Sequence, residues 1–213
     1  MELTAELVAL VERMEPDPGP EPGTTEHTNA DFAQMAEAVL AQHDPEHLWV
    51  FAYGSLIWNP EFQVVEQRRA VAAGWHRSFC LKLTRWRGTR ELPALMLALD
   101  RGGTCIGIAF RLPPGDKHGQ IVRLLQREID ANPPTNVPRW IEVSTKEGRL
   151  KVLAFVALRD GIAYAGKRPL PKSRVCSRVQ RGTGGRQRST PSIRSASWKS
   201  TASVIATSGE FKD

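Results

Sequence analysis

The sequence predicts an α+β fold organised around a small curled sheet, and three observations carry that prediction. From Leu48 onward the apolar residues fall into short strand-like blocks. Gly- and Pro-containing turn signals separate the blocks, and a single internal stretch, His118–Ile129, has helical spacing through Ile121, Leu124, Leu125 and Glu128. Strands do not alternate regularly with helices, which argues against a doubly wound sheet. At 213 residues the chain is long enough for one ordinary domain with a real core and too short for two generous ones.

Read in order, Glu2–Met14 repeats Leu3, Leu7, Leu10 and Val11 at the spacing of an amphipathic helix, and Pro16–Thr25 is a Pro/Gly/Glu linker. A second helix is expected from a cap at Asn29 or Asp31 to about His43, with Phe32, Met35, Ala36, Val39 and Leu40 on one face. Leu48–Ala52 reads as a buried strand and Ala70–Leu83 as a long one. Leu95–Leu99 and Cys105–Phe110 flank Asp100-Arg101-Gly102-Gly103, which predicts a hairpin turn. A further hairpin is expected from Arg139–Val143 and Leu150–Leu158 around Lys146-Glu147-Gly148. The expected organisation is a helical, acidic extension over 1–47, a strand-rich domain over 48–170 and a basic tail over 171–213.

The net charge of +6 invites a nucleic-acid partner, and its distribution argues against one. Residues 1–47 carry eleven acidic side chains against Arg13 alone. Lys172–Asp213 carries nine basic side chains against Glu210 and Asp213, so the tail exceeds the whole net charge. That tail is rich in Arg, Ser, Thr and Gly without periodicity and is expected to be disordered. Reading codons allowed for Lys172–Ser189 from their third base returns VARVLARAAGHWGSAA, the start of an amphipathic helix. The same shift across Ser203–Lys212 returns GHRDLWRIQ. The expectation is therefore a reading-frame change near Pro171. No run of about eighteen apolar residues predicts a membrane span, and the acidic start lacks the basic region of a secretory signal. Cys80, Cys105 and Cys176 are scattered without metal or disulfide spacing, as in a reducing cytoplasm. His43 and His47 stand four apart, but Pro45 breaks the helix that would pair them on a metal.

The most informative segment is Tyr53-Gly54-Ser55-Leu56-Ile57-Trp58, directly after the apolar run Leu48–Ala52. A strand leading into a Gly-Ser turn leaves successive N–H groups without partners, which forms a nest for a carboxylate or a developing oxyanion. Gly54 admits close approach by a ligand, and Tyr53 and Trp58 are placed to wall the site.

Trp49–Pro60 resembles the opening of the ChaC-type, glutathione-specific γ-glutamylcyclotransferases. Gly74-Trp75-His76-Arg77-Ser78-Phe79, Arg87-Gly88-Thr89, Leu95–Gly103, Cys105–Leu112, Arg127-Glu128 and Asn136–Ile141 follow in the same order, so the resemblance covers about Leu48–Leu170. It implies a compact barrel-like α+β fold and a cytoplasmic enzyme that splits glutathione into 5-oxoproline and cysteinylglycine with no metal or organic cofactor. It also implies that Glu128, after Arg127, is the general acid/base and that Tyr53, Gly54, Ser55 and Leu56 bind substrate. Arg87 is expected to help hold a substrate carboxylate. The ordinary reading of Glu128 is an exposed helix residue paired with Arg123 or Lys117, and Glu91 is a solvated loop glutamate. Cys80 and Cys105 are expected in the core and His76 in a structural role. Ala52 departs from the usual glycine, and Arg90–Ala94 from a more Gly/Pro-rich stretch. The alternatives are cyclotransfer on other γ-glutamyl amines, an inactive remnant, and a binding protein that uses its basic tail. Oligomeric state is not specified.

Overall fold

A computed structural model describes residues 19, 21–85, 89–90 and 93–166. The expected helix Glu2–Met14, the tail from Lys172, Arg87 and Glu91 lie outside them. Helix α1 (Asn29–Gln42) begins at Thr28, which remains extended at φ −85° and ψ 166°. Its hydroxyl accepts the Asp31 N–H at 3.2 Å, while the Thr28 N–H donates to the Asp31 carboxylate at 2.7 Å. The expected cap at Asn29 or Asp31 is thus corrected to Thr28, with Asp31 completing a reciprocal capping box.

Strand β1 (Trp49–Ala52) leads into a single 3₁₀ turn, Ser55–Ile57. There follow β2 (Glu66–Leu83), β3 (Ala94–Arg111), helix α2 (Lys117–Glu128), β4 (Asn136–Thr145) and β5 (Gly148–Ala157). The strands close into a barrel in the order β1-β3-β2-β4-β5, sealed by parallel pairing of Val50 with Leu153 and of Leu99 with Val156. The β4–β5 hairpin forms as expected, with Thr145 opposite Gly148 across Lys146-Glu147.

All four residues of β1 are buried because both faces of the strand are covered. Trp49 and Phe51 meet Ala70, Leu99, Val152 and Ala154 in the barrel interior. Leu48, Val50 and Ala52 meet a second core built with Phe32 and Val39 of α1 and Ile121 and Leu125 of α2. A barrel with a helical layer on one side follows from that arrangement.

The turn expected at Asp100–Gly103 does not form. These residues lie inside the continuous 18-residue strand β3, which pairs along β2. The register passes from Ala73 opposite Thr104 to Trp75 opposite Arg101, so Gly102 and Gly103 face the single residue Gly74. The three glycines have φ of 96°, 73° and 82° respectively. A glycine-built bulge bends the ribbon there, which lets two long strands wrap a small barrel. His76 serves this bulge, its Nδ1 lying 2.7 Å from the Gly102 carbonyl, so the structural role expected of it holds.

Past β5 the chain returns alongside β2, with Ala165 N–H donating to the Cys80 carbonyl at 2.7 Å and Lys82 N–H to Ala163 at 2.8 Å. Buried Asp100 anchors this return: it accepts the Tyr164 hydroxyl at 2.8 Å, and Arg159 Nε lies 3.2 Å away.

Gly107 is required at the crossing of β1 and β3. A Cβ there would stand 2.4 Å from the Ala52 carbonyl oxygen and 2.7 Å from the Phe51 ring. Gly107→Ala is therefore expected to lose about 1–3 kcal/mol in urea unfolding through overpacking. An unchanged midpoint would show that the β1 end can shift aside.

Candidate active site

The site grows from the end of β1. The 3₁₀ turn consumes the N–H groups of Ile57, Trp58 and Asn59, which donate to the Gly54 and Ser55 carbonyls at 2.9–3.2 Å. The N–H groups of Ser55 and Leu56 open the turn and have no acceptor within it, as at any helix start. Nothing lies within 4 Å of the position a Cβ would take on Gly54, so the space above this peptide is open. Leu56 is buried and anchors the turn to the helical core, whereas Trp58 is 57% exposed.

Arg77 on β2 orients the first peptide of the turn. Its Nε donates to the Tyr53 carbonyl at 2.6 Å and its Nη2 to the Ile106 carbonyl at 2.6 Å. In a trans peptide the following N–H points opposite the carbonyl, so this contact also fixes the direction of the Gly54 N–H. Sequence reasoning passed over Arg77, although it lies in the quoted Gly74–Phe79 motif, because its partners are carbonyls 24 and 29 positions away.

The Tyr53 ring extends into the barrel interior, where its hydroxyl donates to the Phe155 carbonyl on β5 at 2.9 Å. Burial pushes its phenol well above the usual tyrosine range, and the nearby Glu128 carboxylate adds to that. The two residues therefore share one electrostatic environment although 75 positions separate them in the chain.

Glu128 is the last residue of α2, and its side chain is only 18% exposed. It pairs with neither Arg123 nor Lys117; Lys117 instead contacts Asp44. The partner of Glu128 is Arg127, with Nε 3.0 Å from Glu128 Oε1. Arg127 Nη1 also lies 2.8 Å from the carboxylate of Glu61, in the loop after the nest. Burial raises the Glu128 pKa above its ordinary value of 4.5, and the lowering by Arg127 does not cancel it. A carboxyl so placed exchanges a proton nearer neutrality than an exposed glutamate does.

Of the sequence-expected site residues, Tyr53 and Glu128 are brought together, Gly54, Ser55 and Leu56 form the adjoining turn, and Arg87 lies outside the described residues. Cys80 and Cys105 are free thiols buried in the core, and burial pushes both pKa values up, Cys80 to about 11. His43 packs edge-on against Trp140 at 4.8 Å. A surface depression lined by Ile57, Arg69, Ile106 and Ile108 opens beside the turn but includes neither Tyr53 nor Glu128.

Residues 48–189 match the ChaC-like protein family. The chain belongs to that family. The match begins where the resemblance was placed and extends beyond Leu170 into the basic tail. A glutathione-specific gamma-glutamylcyclotransferase of Escherichia coli is 38% identical over 128 residues, covering 60% of this chain and 54% of that protein. The protein named glutathione-specific gamma-glutamylcyclotransferase 1 of Mus musculus is 28% identical over 140 residues, covering 64% and 61%. This ChaC-like chain thus spans less than two thirds of the length of these relatives. Among solved structures, a γ-glutamyl cyclotransferase specific to glutathione from yeast superposes with a TM-score of 0.56 at 21% identity, over 66% of this chain and 82% of that one. That likeness establishes the expected barrel-like α+β fold.

The raised pKa of Glu128 has a consequence for stability. The folded state binds this proton more tightly than the unfolded chain, so the associated stability is fully present below pH 4.5 and is lost as pH rises through the folded value. Glu128→Gln removes that loss. Unfolding free energies of parent and variant are expected to converge in acid, with the variant more stable at neutral pH. A variant less stable than the parent at neutral pH would mean that the ion pair with Arg127 outweighs desolvation.

Proposed function

We propose that this ChaC-like chain is a γ-glutamylcyclotransferase that converts glutathione to 5-oxoproline and cysteinylglycine, with Glu128 as general acid/base. The observation that carries this reading is Glu128, a buried carboxyl of raised pKa whose charge acts on Tyr53, the residue that leads into the open turn at the end of β1. The names of the E. coli and mouse relatives support the choice of substrate.

The reaction is an internal transfer. The α-amine nitrogen of the γ-glutamyl group attacks its own γ-carbonyl carbon, forming the five-membered ring, and the bond from that carbon to the cysteinyl nitrogen breaks. The proton lost by the amine matches the one gained by the leaving nitrogen, so one carboxyl placed between the two nitrogens can accept it and return it. Bending the substrate into the attacking conformation lowers the barrier by proximity. The Gly54, Ser55 and Leu56 N–H groups are assigned to the oxygen that becomes negative in the tetrahedral intermediate, where fixed dipoles stabilise charge without reorganising. Within the nest, Arg77 holds the first of these peptides in orientation.

The two buried free thiols, Cys80 and Cys105, agree with a reducing, cytoplasmic setting for a small-molecule substrate. The decisive assay supplies millimolar glutathione to the purified chain and follows 5-oxoproline and cysteinylglycine. The parent is expected to form both in equal amounts, and Glu128→Gln to lose at least about 10²-fold in kcat with its fold intact. Turnover of γ-glutamyl dipeptides in preference to glutathione would retain the chemistry and reassign the substrate. Equal activity in Glu128→Gln would remove Glu128 from the mechanism.

A further inference from the structure

Glu61 stands in the loop between the nest and β2. It is the one non-glycine residue of positive φ among the described residues, at 54°. A glutamate takes that left-handed conformation only under strain, and glycine or asparagine would occupy it more easily. What the glutamate side chain adds is contact with the site. Its Oε2 lies 2.8 Å from Arg127 Nη1, and its Oε1 accepts Asn59 Nδ2 at 3.1 Å. Arg127 is itself 10% exposed and donates Nε to Glu128 at 3.0 Å. A single buried guanidinium is thus divided between two carboxylates, one from the loop and one from the end of α2.

Division matters because a guanidinium given wholly to Glu128 would hold that carboxylate ionised. A two-point fork is the strongest pairing available to the two groups. We propose that Glu61 is a positioning residue for Glu128: by drawing Arg127 through Nη1 it keeps Arg127 to a single Nε contact and leaves Glu128 free to take up and release a proton. This inference rests on the reading of Glu128 as general acid/base. The groups facing Glu128 are Arg127 on its own helix, Glu61 from the loop and the Tyr53 phenol from the end of β1. Of these, Glu61 is the negative charge whose removal also releases Arg127. Both effects act in one direction, towards a more acidic Glu128.

The test uses the full chain and the variants Glu61→Gln and Glu61→Asn, the second suited to the left-handed backbone. The first readout is the titration of the Glu128 carboxyl carbon by NMR, assigned by its absence in Glu128→Gln. The second is the pH profile of kcat on glutathione, with thermal unfolding measured alongside. Both Glu61 variants are expected to shift the Glu128 titration to lower pH. They should move the acid limb of the profile with it and lower kcat about tenfold near neutrality, with KM within about twofold. Melting temperatures should be unchanged, or higher for Glu61→Asn as strain is relieved. An unmoved Glu128 titration in both variants overturns the proposal, whatever happens to activity. A shifted titration with full activity in Glu128→Gln upholds the coupling and rejects the acid/base reading, so the two failures are separable.

Discussion

Burial of β1 on both faces is the constraint on which the rest of the molecule depends. Four residues, Trp49–Ala52, supply side chains to the barrel interior and to the helical layer at once, so the strand belongs wholly to neither. A strand enclosed in this way has its hydrogen bonds taken by β3 and β5 and cannot bend. The first point of release is Tyr53-Gly54, and the turn forms there. Tyr53 continues the interior face, its hydroxyl bound to Phe155, while Leu56 returns to the helical core. The nest is held between two cores, so its N–H groups are fixed by packing that has already been accomplished in folding the barrel.

The same enclosure sets the electrostatics. Glu128 lies at the end of α2, where the helix meets the barrel, and removal from water raises its pKa even with a guanidinium 3.0 Å away. Desolvation raises the carboxyl's proton affinity and Arg127 lowers it, with desolvation the larger of the two. Arg127 contributes to this balance through its distance from two carboxylates and not merely through its charge.

Closure of so small a barrel requires long strands that curve. The bulge of Gly74 against Gly102-Gly103 provides the curvature, and His76 holds it through the Gly102 carbonyl. Gly107 then lets β3 approach the end of β1 closely enough for Arg77 to reach both the Tyr53 and Ile106 carbonyls. Backbone geometry at glycines far from Glu128 thereby determines where the nest sits.

Local pattern was sufficient for the elements whose partners are near in sequence. Residue spacing located α1 and α2, and turn chemistry at Lys146-Glu147-Gly148 located the β4–β5 hairpin, because these depend on periodicity and short-range torsions. The strand-to-turn motif Tyr53–Leu56 was legible for the same reason, whereas the pair Arg127-Glu128 stood out only through the family resemblance, since its local pattern is that of an ordinary exposed helix end. Asp100–Gly103 misled, since glycine's freedom of φ serves a turn and a bulge equally, and only the partner strand β2 distinguishes them. The sequence by itself determined the residue types proposed for the chemistry: a carboxyl, a flexible turn and an aromatic ring. Tertiary structure alone decided that the Glu128 charge acts on the Tyr53 phenol, that Arg77 orients the Tyr53 peptide and that Glu61 shares Arg127. Those relations are set by barrel closure and desolvation, and neither quantity is a property of any local stretch of chain.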